Sequence, residues 1–579
     1  MYLTSKKLFN FIICIIIYEK KIILKKLSYI NFLLKQTNLI TYLKFLFNRD
    51  KYNPIKSKIF IKYIKKNKEI FKLKEPKKDT ILVDNFVNHP SYTLSNAIAC
   101  LYLNTIYNCK ILSILRSGDI KGEILYRSFG IKNFHYIKSP NILQRVKYIF
   151  ITINKFNEIK SIKKFCKIKY KKIEVGLSSY DTYIRYLRIP TLIKTNNELL
   201  VILAECLYHC DYFEKFLLKN KNIKLSIQRE TVFNPLNSLF QICLKNKINI
   251  FSLTGIKNIS LRHYTEWNQR REYSGNISQK IFDNFFKNNK KKINRIFNNI
   301  YNNKIKNNNF GVDSRIVGLL KLKQINISKK EFIERFKLDK KKKIAVFFLN
   351  HLIDKNFHHG MKKNFNDNYS AIDFVLNLIP KLNNVNWIIK LHPTEYFYKA
   401  KFNFDEKIEL LKQRNIVLYP QDYKSSALLK IADIAITSHG TAGVEYPAFG
   451  IPSIFFDNSF YSKLKFMKMK NSKKDLIYAL SNMHKLKKLN RKYILKCRAL
   501  LVIQNKLIAN ECNLIPDNIS ITRQINEDNF WKNCLYKIKD FKLKKDPFYN
   551  MLKKQIKYKL RHTINFDLFK IDQKIYSDY

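Results

Sequence analysis

The sequence predicts an α/β protein with two doubly wound halves, and three observations carry that prediction. Residues 432–456, ADIAITSHGTAGVEYPAFGIPSIFF, read as strand, tight turn, short helix and strand within 25 residues. Short apolar runs alternate with helical stretches from about residue 80 to 255, and again from 343 to 456. Polar loops follow key runs directly, where open α/β sheets place ligands. At 579 residues the chain is too long for one ordinary core, and its hydrophobic content of 46% can fill more than one. The expected division is a basic hydrophobic segment and linker (1–75), a first α/β domain (76–330), a second (331–525), and a helix with a basic tail (526–579).

The N-terminus is apolar and basic. Residues 8–18 form an apolar run of eleven, interrupted only by Asn10, which is too short to span a bilayer as a helix. No small-residue cleavage site follows, which argues against a cleaved secretory signal. Residues 22–47 mix Lys with Ile, Leu, Phe and Tyr, and no acid stands between Glu19 and Asp50. Two readings stay open: an interfacial amphipathic segment, or a helical hairpin packed on the body. Residues 51–79, with Pro54 and Pro76, read as a linker.

In the first half, 80–83 is a strand, Asp84 to Ser91 a polar loop, 92–107 a helix and 110–115 a strand, together a βαβ unit. A further strand is expected at 133–137 and a helix at 146–165. The segment IEVGLSSYDTY (173–183) leads into Ile184-Arg185-Tyr186. A long helix (198–218), a strand (223–228), a helix (234–247) and a strand (248–253) follow. Residues 256–330 are Lys/Asn-rich and irregular, read as helix with long loops, and should hold the inter-domain region. The second half opens with the strand 343–349. Asn368 or Ser370 caps a helix that Pro380 stops. Strands at 387–390 and 416–419 lead to the 432–456 unit. Helices at 473–487 and 491–509 come next. A helix at 530–541 should pack back on the first domain, and 542–579 should be peripheral.

Within 432–456, three of the chain's 12 glycines, Gly440, Gly443 and Gly450, fall in eleven residues. That crowding marks backbone positions that no side chain can occupy. The helix 442–449 should end at Gly450, with Pro447 kinking or shortening it. A Ser438-His439-Gly440-Thr441 turn entering a helix suits an anion.

The net charge of +65 invites a nucleic-acid or anionic-membrane reading. The excess is nearly all lysine, spread evenly among Asn, Ile, Phe and Tyr, as an AT-rich coding sequence would give. No zinc-finger spacing, Arg-rich recognition helix or aromatic ribonucleoprotein motif accompanies it, so no specific nucleic acid is expected. The ten cysteines are scattered, with Cys206 and Cys210 four apart but no second pair. They read as buried thiols in a reducing compartment rather than as a metal site.

Of the 11 histidines, five follow strands of the second half: His351, His358, His359, His392 and His439. In a parallel sheet those strand ends converge on one crevice. Histidines there can contact a diphosphate, act as acid or base, or bind metal. Metal is not favoured: Asp354 and His358 are four apart, but in a loop and with no further carboxylate. No role is assigned to His358 or His359. Lys390 and His392 place a cation and an imidazole past one strand, with Pro393 blocking its continuation. Glu445 lies one helical turn beyond Thr441, on the same face.

The segments FFLNHLIDKNFHHG, WIIKLHP and DIAITSHGTAGVEYPAFGIPSI occur in the order and spacing that resembles the C-terminal half of GT-B-type bacterial glycosyltransferases of capsule-polysaccharide and surface-carbohydrate biosynthesis. GLSSYDTYIR resembles a segment of their first half. The likeness is good over about 340–456, thinner over 80–255, and says little for 1–75 and 540–579.

The resemblance implies a GT-B-like fold, two Rossmann-like domains facing across a cleft. The acceptor would sit on the first domain and the nucleotide-sugar donor on the second. His392 and Ser438, His439, Gly440 and Thr441 would face the donor diphosphate, with Lys390 beside them. Glu445 would face the sugar or ribose, and His351 and Asp354 would line the cleft. Asp84, His89, Asp181 and Arg185 are the polar candidates on the acceptor side, with Asp181 or Asp84 as the base. Positive groups would stabilise the leaving diphosphate, so neither a metal nor a cofactor is expected. One departure is that DNFVNHPSY, after the first strand, lacks the glycine of a phosphate-binding loop. That agrees with a donor held by the second domain.

The implied activity is sugar transfer to a surface-glycan acceptor, lipid-linked and met at the inner face of the cytoplasmic membrane. Rival readings are a teichoic-acid-type polyol-phosphate transferase, a nucleotide-sugar 2-epimerase, and a basic membrane- or nucleic-acid-binding protein.

Overall fold

In the computed structural model, the described residues are 58–71, 73, 77–87, 89–116, 119–156, 158–255, 258–272, 275–307, 310, 324–354, 365–393, 395, 400–409, 411, 415–516, 527–572 and 575–576. The expectations for 8–47, and those for His358 and His359, lie outside them.

Helix α1 (Lys58–Ile70) precedes the first sheet, where a linker was expected. Its Phe60, Tyr63 and Ile64 are buried, and Asn67 Nδ2 donates to Ser128 Oγ at 2.8 Å. The lysines that suggested a linker occupy the solvent side of an amphipathic helix.

Strand β1 (Lys77–Asn85) follows, with Ile81, Leu82 and Val83 buried as in a parallel sheet covered on both faces. It runs to Asn85, so Asp84 belongs to the strand rather than to the loop beyond it. Pro90 opens helix α2 (Pro90–Tyr107), where its fixed φ fits and no N–H is missed. The remaining strands are β2 (Cys109–Arg116), β3 (Asn133–Ile137), β4 (Ile223–Gln228), β5 (Asn249–Thr254) and β6 (Asn258–Tyr264). The sheet order is β3-β2-β1-β4-β5, all parallel, with β6 added antiparallel. Helices α3 (Ile142–Phe156), α4 (Val175–Leu187) and α5 (Asn197–Lys219) lie between β3 and β4.

The stretch expected to be helix with long loops holds β6 and the expected helix, α6 (Gln279–Lys306), which is 28 residues long. Ser278 caps it by accepting from Ile281 N at 3.1 Å. Its buried Phe282, Phe285, Asn289, Ile293, Phe297 and Tyr301 recur every three or four residues. The Lys/Asn composition hid the bounds and length of that helix, not its presence. α6 packs with the second sheet, sharing a core with Val346, Val444 and Tyr446.

The second sheet comprises β7 (Ile344–Phe348), β8 (Asn386–Lys390), β9 (Ile416–Leu418), β10 (Ile434–Thr437) and β11 (Ser453–Phe455), all parallel in the order β11-β10-β7-β8-β9. Counted within each half, both sheets have the order 3-2-1-4-5 of a Rossmann-like unit. Each therefore reverses its winding direction between its first and fourth strands. The expected α/β class with two Rossmann-like sheets is present.

Helix α7 (Ala442–Ala448) and helix α8 (Arg491–Val502) complete the second half. Pro447 lies inside α7 and offers no N–H to the Gly443 carbonyl; Ser453 Oγ donates to that carbonyl instead at 2.8 Å.

The chain then returns to the first sheet. Asn510–Glu511 pairs antiparallel with β6. Helix α9 (Glu527–Lys539) packs on α1 through Trp531, whose ring centroid is 4.6 Å from Phe60 and 5.2 Å from Tyr63. The expected return of this helix to the first half is observed. Helix α10 (Pro547–Lys557) places Phe548 and Tyr549 against Tyr102 of α2.

The tail is not peripheral. His263 N donates to Arg561 O at 2.7 Å and Thr563 N to Leu261 O at 3.2 Å, which covers the edge of β6. Asn289 of α6 exchanges hydrogen bonds with the Lys570 backbone, and Ile564, Phe569 and Tyr576 join the core under the second sheet. Its lysines face outward while its apolar residues staple the two halves. The nine described cysteines are buried free thiols.

Candidate functional site

The C-terminal ends of β7, β8 and β10 are adjacent in the second sheet, and the winding reverses between β7 and β10. That edge is where an open parallel sheet leaves a crevice. Asn350, just past β7, ties two of the loops together. Its Oδ1 accepts from Thr437 Oγ1 at 3.3 Å and from His439 N at 3.4 Å. The third loop joins through Leu349 N, which donates to Lys390 O at 2.9 Å.

His351 and His392 meet edge to face, with ring centroids 5.8 Å apart and planes at 77°. Ile353 N donates to His351 Nδ1 at 3.2 Å. A ring nitrogen that accepts carries no proton, so the neutral ring holds its proton on Nε2. That nitrogen stands 3.8 Å from Glu395 Oε2; the His351 side chain is buried and that of Glu395 largely so. Burial raises the Glu395 carboxyl to about 7 despite a hydrogen bond from the Leu352 backbone. Asn368 Nδ2 fixes the loop by donating to His351 O at 2.9 Å and Asp354 O at 2.8 Å.

Lys390 ends β8 with its ammonium 5.1 Å from the centre of the Tyr419 ring, and burial lowers it to about 8. A cation in that state gains from an arriving anion.

The turn after β10 is held from outside by Ser459 Oγ, which donates to His439 O at 2.9 Å, and by Tyr461 Oη, which donates to Gly440 O at 2.7 Å. Ser438 Oγ lies 2.7 Å from His439 Nδ1. A Cβ on Gly443 would collide with the Tyr461 phenol oxygen and stand 2.9 Å from Cζ. Gly450 has φ +91°, the left-handed region that ends a helix. Both agree with the reading of these glycines as positions closed to side chains. Glu445 accepts from Thr441 Oγ1 at 2.9 Å and, on its other oxygen, from Tyr301 Oη of α6 at 3.1 Å. Its carboxylate is therefore anchored between the turn and α6.

The first sheet repeats the arrangement at the β1/β4 switch point. Asp84 is buried at the end of β1, and Arg229, the residue after β4, donates its backbone N–H to Asp84 Oδ2 at 3.2 Å. Burial lifts the Asp84 carboxyl to about 7, against the lowering effect of the Arg229 and Phe86 backbone bonds. The Arg229 guanidinium lies 4.2 Å from the centre of the Tyr92 ring and donates to Ser95 Oγ at 2.7 Å. His89 bonds Ser91 Oγ at 2.8 Å, and burial, then Arg229, lowers it to about 4, so it is a neutral imidazole at pH 7.

Asp181 and Arg185 sit one turn apart on α4. Asp181 is buried, and the Arg185 guanidinium lies 5.7 Å from the centre of the Phe233 ring, in the loop after β4. Preceding Asp181, Tyr180 Oη donates to Asp367 Oδ2 at 2.6 Å, across the two halves. Asp367 precedes Asn368, which holds the His351 loop, so α4 is coupled to the second-sheet site through three residues. Burial, then Asp181 and then Asp367, raises the Cys166 thiol, so carboxylates of both halves act electrostatically on the same group.

The structure thus draws His351, His392, Lys390 and the 438–441 turn to one sheet edge, Asp84 and His89 to another around Arg229, and Asp181 and Arg185 to the helix that bridges them. Asp354 is half-buried at the end of the described β7 loop. Sequence reading missed Arg229, Glu395 and Asn350. Arg229 directly follows β4, Asn350 stands two residues past β7 and Glu395 five past β8, so applying the strand-end rule to every residue type, not to histidine alone, would have brought them into view. Chemically, the second-sheet edge offers the Lys390 ammonium, imidazoles and hydroxyls to an anion. Glu395 and Asp84 can each exchange a proton near neutral pH. Among the described residues no group of three or more His, Cys, Asp or Glu is placed to hold a metal ion.

No protein-family model matches the chain, and no curated protein does. Several solved structures are similar. The KpsC beta Kdo 2,4 transferase of Thermosulfurimonas dismutans is 10% identical over 48% of this chain and 80% of its own, with a TM-score of 0.26. A glycosyltransferase from Rickettsia africae ESF-5 is 12% identical over 80% and 100%, with a TM-score of 0.25. A UDP-GlcNAc 2-epimerase from Neisseria meningitidis, bound to UDP-GlcNAc, is 16% identical over 74% and 99%, with a TM-score of 0.22. At these scores the fold assignment rests on the strand order of the two sheets.

Proposed function

We propose that the chain is a glycosyltransferase that moves a sugar from a nucleotide-activated donor to a lipid-linked surface-glycan acceptor. One observation supports the reading: Lys390, His392 and the Ser438–Thr441 turn follow three adjacent strands at one edge of the second sheet, where Asn350 ties the β7 loop to the β10 turn. That is an ammonium with imidazoles and hydroxyls, a set suited to a diphosphate.

In the proposed reaction an acceptor hydroxyl attacks the anomeric carbon while the bond to the diphosphate oxygen breaks. The proton passes to a carboxylate of the first half. Asp84 suits that role because its carboxyl titrates near neutral pH. Asp181, on the helix that touches the second half, is the alternative. The electron pair goes to the leaving diphosphate, whose charge Lys390, His392 and His439 offset. Glu445 would accept from donor hydroxyls, and His351 and Asp354 would line the donor side. Arg185 and His89 would border the acceptor.

The test is nucleoside-diphosphate release by the full chain given donor and lipid-linked acceptor. His392→Ala and His439→Ala should each lower turnover at least about 100-fold with circular dichroism unchanged, the size expected for losing charge stabilisation at a leaving group. Near-wild-type turnover in both variants contradicts the proposal. A new sugar epimer formed from donor alone would assign an epimerase instead.

A further inference from the structure

Helix α3 carries an apolar face that nothing among the described residues covers. Its Tyr148, Ile149 and Thr152 are buried against the body, with Tyr148 packed edge to face on Tyr208 of α5. On the other side Ile142, Leu143, Val146 and Phe150 are 79%, 80%, 55% and 57% exposed. At 3.6 residues per turn these four fall within roughly 100° of the helix surface. They form a stripe, not scattered exposed residues, and a contiguous exposed stripe of this kind marks an interaction site. Ile193 is 87% exposed as well, next to Lys194, which pairs with Ser161 five residues past the end of α3.

The charge around the stripe selects the partner. Residues 138–172 hold eleven lysines and arginines and a single acid, Glu158. Lys147 borders the stripe on α3 itself, and Lys155 and Lys160 follow at the helix end. A second copy of this chain would bring the same cationic field to the contact and be repelled. An acidic lipid surface satisfies both features at once: apolar side chains enter the acyl boundary while the lysines reach the headgroups.

The placement fits the crevice of the first half. β1, β2 and β3 are parallel neighbours, so the end of β3, five residues before α3, stands on the same sheet edge as Asp84. Two strand spacings, roughly 10 Å, separate them. A bilayer that received the start of α3 would lie beside the mouth of that crevice.

We infer that α3 is a membrane-contact element, docking its Ile142–Phe150 stripe on an anionic phospholipid bilayer with the surrounding lysines on the headgroups. The contact itself does not depend on the transferase reading; only its use in presenting a lipid-linked acceptor does.

The test is sedimentation of the full chain with phosphatidylglycerol/phosphatidylcholine vesicles in the absence of any donor nucleotide, so that its outcome is separate from catalysis. The wild type should bind and be released by salt. Ile142→Ser, Leu143→Ser, Val146→Ser and Phe150→Ser combined should weaken partitioning at least about tenfold with the melting temperature unchanged, since all four are exposed. In Phe150→Trp, fluorescence should rise over the wild-type background on vesicle addition and be quenched by brominated acyl chains. Equal binding by the fourfold variant, no quenching at position 150, or a wild-type dimer abolished by the fourfold substitution would each overturn the inference.

Discussion

Replacing Gly443 by alanine tests how the 438–441 turn is held. The new methyl would occupy the space of the Tyr461 phenol oxygen and stand 2.9 Å from Tyr461 Cζ, where contact normally begins near 3.4 Å. The buried phenol must move by about an ångström, and its 2.7 Å hydrogen bond to Gly440 O is lost with that move. Overpacking costs about 1–3 kcal/mol, and the lost bond adds about 1 kcal/mol. The expected total is about 2–4 kcal/mol. Tyr461→Phe alone removes the bond but not the ring, and should cost about 1 kcal/mol. In the Tyr461→Phe background the colliding oxygen is gone, so Gly443→Ala should then cost only about 1–2 kcal/mol. The assay is native-state hydrogen exchange of β10 in increasing urea, which reads local free energy in that sheet. A Gly443→Ala cost below about 0.5 kcal/mol, or equal costs in the two backgrounds, would refute the reasoning.

Two further predictions concern the first half. Asp84 titrates near 7 in the folded chain and near its ordinary 3.8 when unfolded. Between those values unfolding releases a proton, so Asp84 makes the chain less stable as pH rises from about 4 to 7 and has no further effect above. Asp84→Asn should remove that slope and gain as much as about 4 kcal/mol over the wild type at pH 8 but nothing at pH 3.5. Urea titrations at several pH values check it, and parallel wild-type and variant profiles would contradict it. Trp531→Ala should cost about 3–5 kcal/mol in the packing of α9 on α1. Hydrogen exchange should speed up in α1 and α9 and stay unchanged in β7 and β10; exchange rising equally in both sheets would contradict the packing described.

The strands were the most legible part of this chain. β7, β8 and β10 are continuous apolar runs because both faces of a parallel sheet are covered, and that pattern survives a lysine-rich composition. The histidines after them stood out because histidine is rare here. Helices α1 and α6 were less visible. Their polar faces are almost wholly Lys and Asn, residues that also fill linkers, and only the three- or four-residue spacing of buried aromatics in α6 separates the two. The tail was misread for the same reason, since lysines are spread among its apolar residues, which nonetheless reach both cores. Glu395 and Arg229 also stand past strand ends, but Glu and Arg are common types, and what separates these two from others is desolvation. The Tyr180–Asp367 bond that couples the halves joins residues 187 positions apart and left no local trace in the sequence.

The central claim is that the loops after β7, β8 and β10 form a nucleotide-sugar site. The direct measurement is the thermal shift of the full chain against UDP-, GDP-, CMP- and CDP-linked sugars. A ligand at about 100 times its Kd stabilises by about 2.7 kcal/mol. The account predicts that donors of one nucleotide class raise the melting temperature, and that His392→Ala and Lys390→Met abolish the shift without lowering the unliganded melting temperature. No shift with any donor, or a shift that survives both substitutions, would contradict it.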